Sequence, residues 1–284
     1  MANIGATTAF YKVETSLTRA NNEVSKSMER LATGKQNANA GDRSSYAAMA
    51  DTFKLDYVGT KAGIKGAAVV MGYLETGMRV LDSAASLLSR MQELAVLGAN
   101  DTNTTADATA IDAEFSALAT ELNRHLTGAS YKGKSLFNAT GAFQDKVSLG
   151  GRGAEMSFGM GDITVAGAYL TLYDVANDVS LVKPSDGAAG GATNAVTGIL
   201  EGVQSQLNTA RVEAGSQYAA MESAVTYTTD LTAQYELGYN AVNDVNFSME
   251  TAHLAKNQIL QQAATAMLSQ ANQGQQGLLQ LLQG

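Results

Sequence analysis

The sequence lacks most of the residues on which catalytic and metal-binding sites depend. It contains no cysteine, which excludes disulfides, thiolate metal ligands and cysteine nucleophiles. Its only imidazoles belong to His125, predicted to lie near a helix C-terminus, and His253. Glu250 stands three residues before His253, but one such pair does not complete a metal-ligand set. We therefore predict a protein that is not an enzyme and holds no metal or cofactor.

Charged residues are also scarce. They make up 16% of the chain, against about 25% in ordinary soluble domains. The net charge of -8 argues against nucleic-acid binding, which needs a basic surface. No apolar run approaches the roughly 20 residues of a membrane span, and residues 2–20 do not resemble a cleavable secretory signal. By these rules alone the protein would be cytoplasmic.

The distribution of glycine and proline divides the chain into three parts. Pro184 is the one proline, and 12 of the 28 glycines lie between Gly128 and Gly191. The flanking arms are poor in both residues, which predicts long helices. The middle part contains β-rich runs, predicted as strands at 146–149, 163–165 and 169–173. The predicted fold is mainly α: a long antiparallel helical bundle or coiled coil from both chain ends, with a small central insert that contains a β-hairpin.

The glycine-rich runs at 150–153 and 159–161 are interpreted as turns. A phosphate-binding loop would continue into Gly-Lys-Ser or Gly-Lys-Thr and open a helix, and neither run does. A further turn is predicted at Gly190 and Gly191. Turn chemistry therefore accounts for these glycines.

Apolar residues in both arms recur at helical spacing. A break is predicted near Thr33 and Gly34, with helices from about Ser44 to Asn100 and from Ala106 to Leu126. A helix of about 55 residues would be roughly 80 Å long, so it needs a partner helix along its length. The predicted stripes are Val13, Leu17, Ala20, Val24, Met28 and Leu31; Leu74, Met78, Leu81, Ala85, Leu88 and Met91; Ile199, Val203, Leu207 and Ala210; and Leu260, Ala264, Met267 and Ala271.

The C-terminal segment is unusual for a monomeric protein. After Glu250, Lys256 is the one charged side chain apart from histidine, and leucines accumulate up to Leu282. Such a surface is adhesive in water, while glutamine still allows hydrogen bonds where charge would be costly to bury. We expect other copies of the chain to bury this segment. The alternative is a soluble helical-bundle binding module whose stripes face an ordinary core.

Several spaced motifs at both ends resemble the bacterial flagellin family. They are Ser27–Lys35 (SMERLATGK), Arg90–Val96 (RMQELAV), Glu121–Arg124 (ELNR), Gln258–Ala263 (QILQQA) and Ala266–Gln273 (AMLSQANQ). The resemblance spans roughly residues 1–140 and 192–284. The short middle part implies a flagellin with little or no outer-domain insert.

The resemblance implies a structural subunit that self-assembles into the flagellar filament for swimming motility. It implies secretion through the flagellar export apparatus, which replaces the cytoplasmic expectation, and partners that include an export chaperone, the filament cap and hook-associated proteins. A hook–filament junction protein, which shares the N-terminal motif, is the alternative within the same organelle. The residues expected to pack between subunits are Leu17, Val24, Met28, Leu31, Leu260, Met267, Leu278, Leu281 and Leu282.

The resemblance also implies a division into domains. Residues 1–40 and 245–284 are expected to form the terminal filament-core helices. Residues 41–127 and 192–244 are expected to form a rod-like helical bundle, and 128–191 a short β-containing insert of that rod. The two ends are expected to order on assembly.

Arg90, Leu94 and Glu114 match positions that contact Toll-like receptor 5, the vertebrate innate receptor for flagellin, in family members that it recognises. All three residue types are present here. The alternative interpretation is an ordinary exposed helix pair, with Arg90 and Leu94 one turn apart.

Overall fold

The computed structural model describes residues 6–38, 41, 43–138, 145–150, 152–164, 167–172 and 193–283. Six helices account for most of them. Their bounds are α1 Ala6–Thr33, α2 Ser44–Gly98, α3 Thr105–Gly128, α4 Gly167–Leu172, α5 Thr193–Asn243 and α6 Phe247–Gln283.

The described residues of the middle part form three small strand pairs. β1 (Ser130–Tyr131) and β2 (Lys134–Ser135) form one antiparallel pair, and β3 (Phe137–Asn138) runs parallel to β6 (Met160–Gly161). β4 (Asp145–Ser148) and β5 (Glu155–Phe158) form the longest hairpin, with Val147 opposite Met156. In the described part of the chain, no helix combines the length and apolarity that a membrane crossing needs.

The chain divides into two compact units. The first comprises Met1–Leu55 and Ala233–Gly284, and in it α1 packs against α6. The second comprises Asp56–Thr232. Its apolar core brings together residues of α2, α3, α4, α5 and the strands. The largest fully buried side chains of this core are Tyr169, Phe115, Leu74, Leu81, Met91, Leu122, Leu126, Leu136, Met160, Leu172, Leu207 and Met221.

Glycines on α2 let the strand region lie close to the helix. A Cβ atom added at Gly63 would lie 2.2 Å from the backbone carbonyl of Leu149, in the loop after β4. A Cβ atom added at Gly77 would lie 1.9 Å from Cε of Met160. The absence of a side chain at Gly63 lets the Leu149 backbone approach α2 this closely, and Gly77 leaves room for the end of the Met160 side chain.

Buried polar groups attach the strands to the helices. The Gln217 amide on α5 accepts from the Gly159 N–H at 2.9 Å and donates to the Gly159 carbonyl at 2.8 Å, as a peptide group would. The Tyr73 hydroxyl on α2 donates to the carbonyl of Leu136 at 2.8 Å. Burial, with Asp145 nearby, raises the pKa of Tyr73 to about 12, so the phenol stays a neutral donor.

The helical predictions agree with the structure. Thr33 ends α1, and Gly34 follows with a left-handed φ of 69° that a helix cannot continue through. α2 begins at Ser44 as predicted, and α3 is framed by a capping box of Thr104 and Asp107. His125 lies in the last turn of α3, with its Nε2 3.1 Å from Glu121.

Two predicted strands are wrong. Residues 169–172 belong to helix α4, because Tyr169 and Leu172 are three residues apart and share its buried face. Ile163 and Thr164 lie in a bend held by Asp162, whose carboxylate accepts from the Thr164 N–H at 2.8 Å. Position 165, position 173 and the turn predicted at 190–191 fall outside the described residues. The strand predicted at 146–149 is confirmed as β4, one residue earlier.

Candidate assembly surface

The pairing of α1 with α6 uses one face of each helix. On α1 the inner face comprises Val13, Leu17, Ala20, Val24, Ser27 and Leu31, all buried or half-buried. On α6 it comprises Leu254, Asn257, Gln261, Ala264, Leu268 and Ala271, which repeat at alternating spacings of three and four. Small and amide side chains dominate the α6 half, so this contact buries little of the apolar surface that α6 carries.

The large apolar side chains of α6 lie outside that contact. Ile259, Leu260 and Met267 are 65%, 48% and 53% exposed. Leu260 and Met267 each precede an inner-face residue, Gln261 and Leu268, by one position. Of the predicted stripe, Ala264 and Ala271 face α1, whereas Leu260 and Met267 stay exposed beside that contact.

Charge is absent from most of this helix. Glu250 and Lys256 are its charged residues, and no acidic or basic residue follows Lys256. An exposed apolar face flanked by amides, with no charge to keep it in water, is the property of a surface that another protein chain covers. We call Ile259, Leu260 and Met267 the outer face of α6.

The other predicted packing residues lie in different places. Val24 is 9% exposed, and Leu17 and Leu31 are half-buried, all on the inner face of α1. Met28 is 51% exposed, because Ser27 takes the inner position. Leu278, Leu281 and Leu282 belong to the last turns of α6, and their side chains lie outside the described part of the structure.

Backbone hydrogen bonds join the two breaks in the terminal helices. Lys35 and Asp244 form an isolated antiparallel bridge. The Gln36 N–H donates to the carbonyl of Asn243 at 2.7 Å. These bonds fix where α1 and α6 begin to run side by side.

A polar cleft of about 320 Å³ lies beside this junction. Ser27, Arg30 and His253 line it, and a guanidinium nitrogen of Arg30 lies 3.8 Å from Glu250. Among the described residues no three histidine, cysteine or acidic side chains could hold a metal ion. His253 therefore lines this cleft without a set of metal-ligand side chains around it in the described part of the chain.

The three candidate receptor residues are only partly at the surface. The Arg90 guanidinium donates to Glu114 at 2.8 Å and to Glu93 at 2.7 Å. Both hydrogen bonds raise the pKa of Arg90, and the bond to Glu93 has the larger effect. Leu94, by contrast, is 2% exposed and belongs to the core. Leu94 lies one helical turn from Arg90, with its side chain packed in the core beneath the exposed guanidinium.

The fold defines a class: mainly α proteins in which helices from the two chain ends pair with each other. Comparison with known proteins specifies the class. The family description "Bacterial flagellin N-terminal helical region" matches residues 5–142, and "Bacterial flagellin C-terminal helical region" matches residues 197–282.

Known flagellar filament proteins match this chain over almost its full length. The chain is 27% identical to the flagellar filament 33 kDa core protein of Treponema phagedenis, over 94% of each chain. It is 26% identical to flagellins of Halalkalibacterium halodurans, over 92% of each, and of Bacillus subtilis, over 93% of this chain and 94% of that one.

The chain belongs to the bacterial flagellin family. It is a structural protein and not an enzyme, and it is a secreted, homo-oligomeric subunit of the flagellar filament. The predictions of family, fold class, function and location are thus confirmed.

Proposed function

We propose that the α1–α6 pair forms the inner core of the filament, and that neighbouring subunits bury the outer face of α6. The observation that carries this proposal is the exposure of Ile259, Leu260 and Met267 on a helix without charge beyond Lys256. Full burial of one such side chain contributes about 1.5–3 kcal/mol. Repeated in every subunit, this burial offsets the entropy lost when the chain ends become ordered.

The predicted packing residues then divide into two groups. Leu17, Val24 and Leu31 hold α1 against α6 within one subunit. The residues that pack between subunits are Met28, Leu260, Met267, Leu278, Leu281 and Leu282. This division follows the exposure of Met28, Leu260 and Met267 and extends it to the leucines at the end of α6.

The domain division remains part of the proposal. Residues 1–40 and 245–284 make the filament core, and 41–127 with 192–244 make the rod outside it. The insert 128–191 belongs to the rod. The hydrogen bond between Val245 and Gly34 supports this domain division, because both residues lie close to the proposed boundaries.

Export and capping partners follow from the family. The chain passes through the flagellar export apparatus, bound beforehand by an export chaperone, and assembles beneath the filament cap beyond the hook-associated proteins. The uncharged outer face of α6 supports a chaperone, because such a surface needs cover before assembly.

We also propose that Arg90 and Glu114 are contacts for Toll-like receptor 5. Both side chains are about half exposed, at 51% and 48%, and bonded to each other, so they present a preformed charged pair. Leu94 acts from below by packing the helix that carries Arg90.

The test of the core proposal compares a charged with an uncharged change on the outer face of α6. Leu260→Asp with Met267→Asp is expected to abolish sedimentable filament, because a buried carboxylate is far costlier than a buried amide. Leu260→Asn with Met267→Asn is the matched control, expected to retain weakened assembly. If the aspartate variant sediments like the unchanged chain, the outer face of α6 is not buried in the filament.

A further inference from the structure

The exposed methionines of the chain are confined to one of its two compact units. The sequence contains 11 methionines, and all but Met1 lie among the described residues. In the first unit Met28, Met49, Met249 and Met267 are between 50% and 60% exposed. The methionines of the second unit are all buried or half-buried: Met71, Met78, Met91, Met156, Met160 and Met221. An oxidant dissolved in water therefore reaches the thioethers of the first unit more readily.

Oxidation converts methionine from an apolar into a polar side chain. A lone pair of the sulfur attacks one oxygen of hydrogen peroxide, the O–O bond breaks and an S–O bond forms. The sulfur loses two electrons, and the second peroxide oxygen leaves as water with both protons. Because a sulfoxide oxygen accepts hydrogen bonds, its burial among apolar groups is costly.

Met28 and Met267 lie where such a cost would fall on assembly. Met267 belongs to the outer face of α6, together with the aliphatic side chains of Ile259 and Leu260. Met28 lies on the exposed side of α1, next to the inner position that Ser27 occupies. The proposed function buries both side chains between subunits, so a sulfoxide at either position would be buried with them.

Met49 and Met249 are exposed to a similar extent but lie elsewhere in the same unit. Met49 is on α2, outside the pair of α1 and α6. Met249 lines the polar cleft together with Arg30 and Asn257, whose N–H groups can donate to a sulfoxide oxygen. Oxidation at these two positions therefore leaves the outer face of α6 unchanged, and both methionines serve as internal references.

We propose that Met28 and Met267 are oxidation sites that control entry of the subunit into the filament. This inference rests on the proposed function, since it needs both side chains buried between copies. Peroxide converts them to sulfoxides in the monomer, and the oxidised monomer is excluded from assembly. Within the filament the same two thioethers are covered and stay reduced.

The test uses the full chain after partial oxidation of the monomer by hydrogen peroxide. Filaments are then assembled and sedimented, and mass spectrometry of peptides compares each sulfoxide in the pellet and in the supernatant. The sulfoxides of Met28 and Met267 are expected to be about tenfold depleted in the pellet, because a buried polar group without a partner weakens association. The sulfoxides of Met49 and Met249 are expected in equal fractions in both. Equal fractions at all four positions would overturn the inference.

Two double variants give an independent test, since leucine resists oxidation and replaces methionine at nearly constant volume. Met28→Leu with Met267→Leu should assemble equally well before and after peroxide treatment. Met49→Leu with Met249→Leu is the matched control, and peroxide should raise its critical concentration about tenfold, as in the unchanged chain. Loss of assembly on oxidation of the first variant would contradict the inference. Failure of the untreated, unchanged chain to polymerise would instead refute the proposed function.

Discussion

The backbone N–H of Val245 donates a hydrogen bond to the carbonyl oxygen of Gly34 at 3.1 Å. These residues are 211 positions apart in sequence, yet each lies in a break between two long helices. The bond joins those breaks, and beyond it α1 and α6 run together. Four of the six inner-face side chains of α6 are small or amide-bearing, and the pair leaves Ile259, Leu260 and Met267 exposed.

Glycine at position 63 should be irreplaceable for the packing of the β4–β5 hairpin. Gly63→Ala places a Cβ atom 2.2 Å from the Leu149 carbonyl, so backbone must move, at a cost of about 1–3 kcal/mol. Gly215→Ala is the matched control, since nothing lies within 4 Å of its Cβ position on helix α5. The Gly215→Ala substitution should raise the free energy of unfolding by about 0.5–1 kcal/mol. Thermal unfolding of the monomers measures both, and equal effects would contradict the packing described.

The ion pair of Glu121 and Arg124 near the end of α3 should make the stability of the folded chain depend on pH. The pKa of Glu121 is lowered from 4.5 to about 2, chiefly because Arg124 donates a hydrogen bond to its carboxylate. Because the pKa of Glu121 is lower in the folded chain than in the unfolded chain, its carboxylate stabilises the folded state above about pH 4.5. This contribution disappears as the pH falls toward 2. The difference in melting temperature between the unchanged chain and Glu121→Gln should therefore be constant above pH 5 and shrink below about pH 4.5. A difference that does not change with pH would show that Glu121 titrates normally.

Trypsin should distinguish the two compact units. Lys256 is the one lysine or arginine after Arg211, and it lies on α6. In the monomer we expect rapid cleavage at Lys256 and at the basic residues up to Lys54, because the ends order on assembly. Mass spectrometry should find a resistant fragment that spans Asp56–Thr232, and filaments should protect the same sites. Equally slow cleavage in monomer and filament would exclude ordering on assembly.

The receptor proposal predicts a loss confined to the exposed pair. Arg90→Ala and Glu114→Ala should each lower signalling in cells that carry Toll-like receptor 5, since each removes a half-exposed charge. Arg79→Ala, exposed elsewhere on α2, is the control. Unchanged signalling by both variants, with the monomer fold intact, would remove this surface from the receptor contact.

Most of the helical architecture follows from sequence, because apolar spacing and a glycine-poor composition act locally. Choosing between neighbouring positions is harder. Leu260 and Gln261 differ by 100° around α6, and only the presence of α1 decides which one turns inward. The apolar residues near Tyr169 fit a strand pattern, yet burial at a spacing of three makes them helical.

The polar supports of the fold could not be predicted from the sequence. Gln217 replaces a peptide partner for Gly159 across 58 positions, and no local pattern marks it. Leu94 matches a receptor motif by position, but its burial depends on packing that the motif does not encode. Family resemblance thus located the functional segments, while exposure separated the residues that face outward from those that support them.

Electron microscopy of purified chain, before and after deletion of residues 250–284, tests the central claim most directly. At high concentration the full chain should form helical filaments if, as we propose, the outer face of α6 is buried between copies. The shortened chain should remain a partly helical monomer. A full chain that stays monomeric, or a shortened chain that forms the same filaments, would contradict assembly through the paired terminal helices.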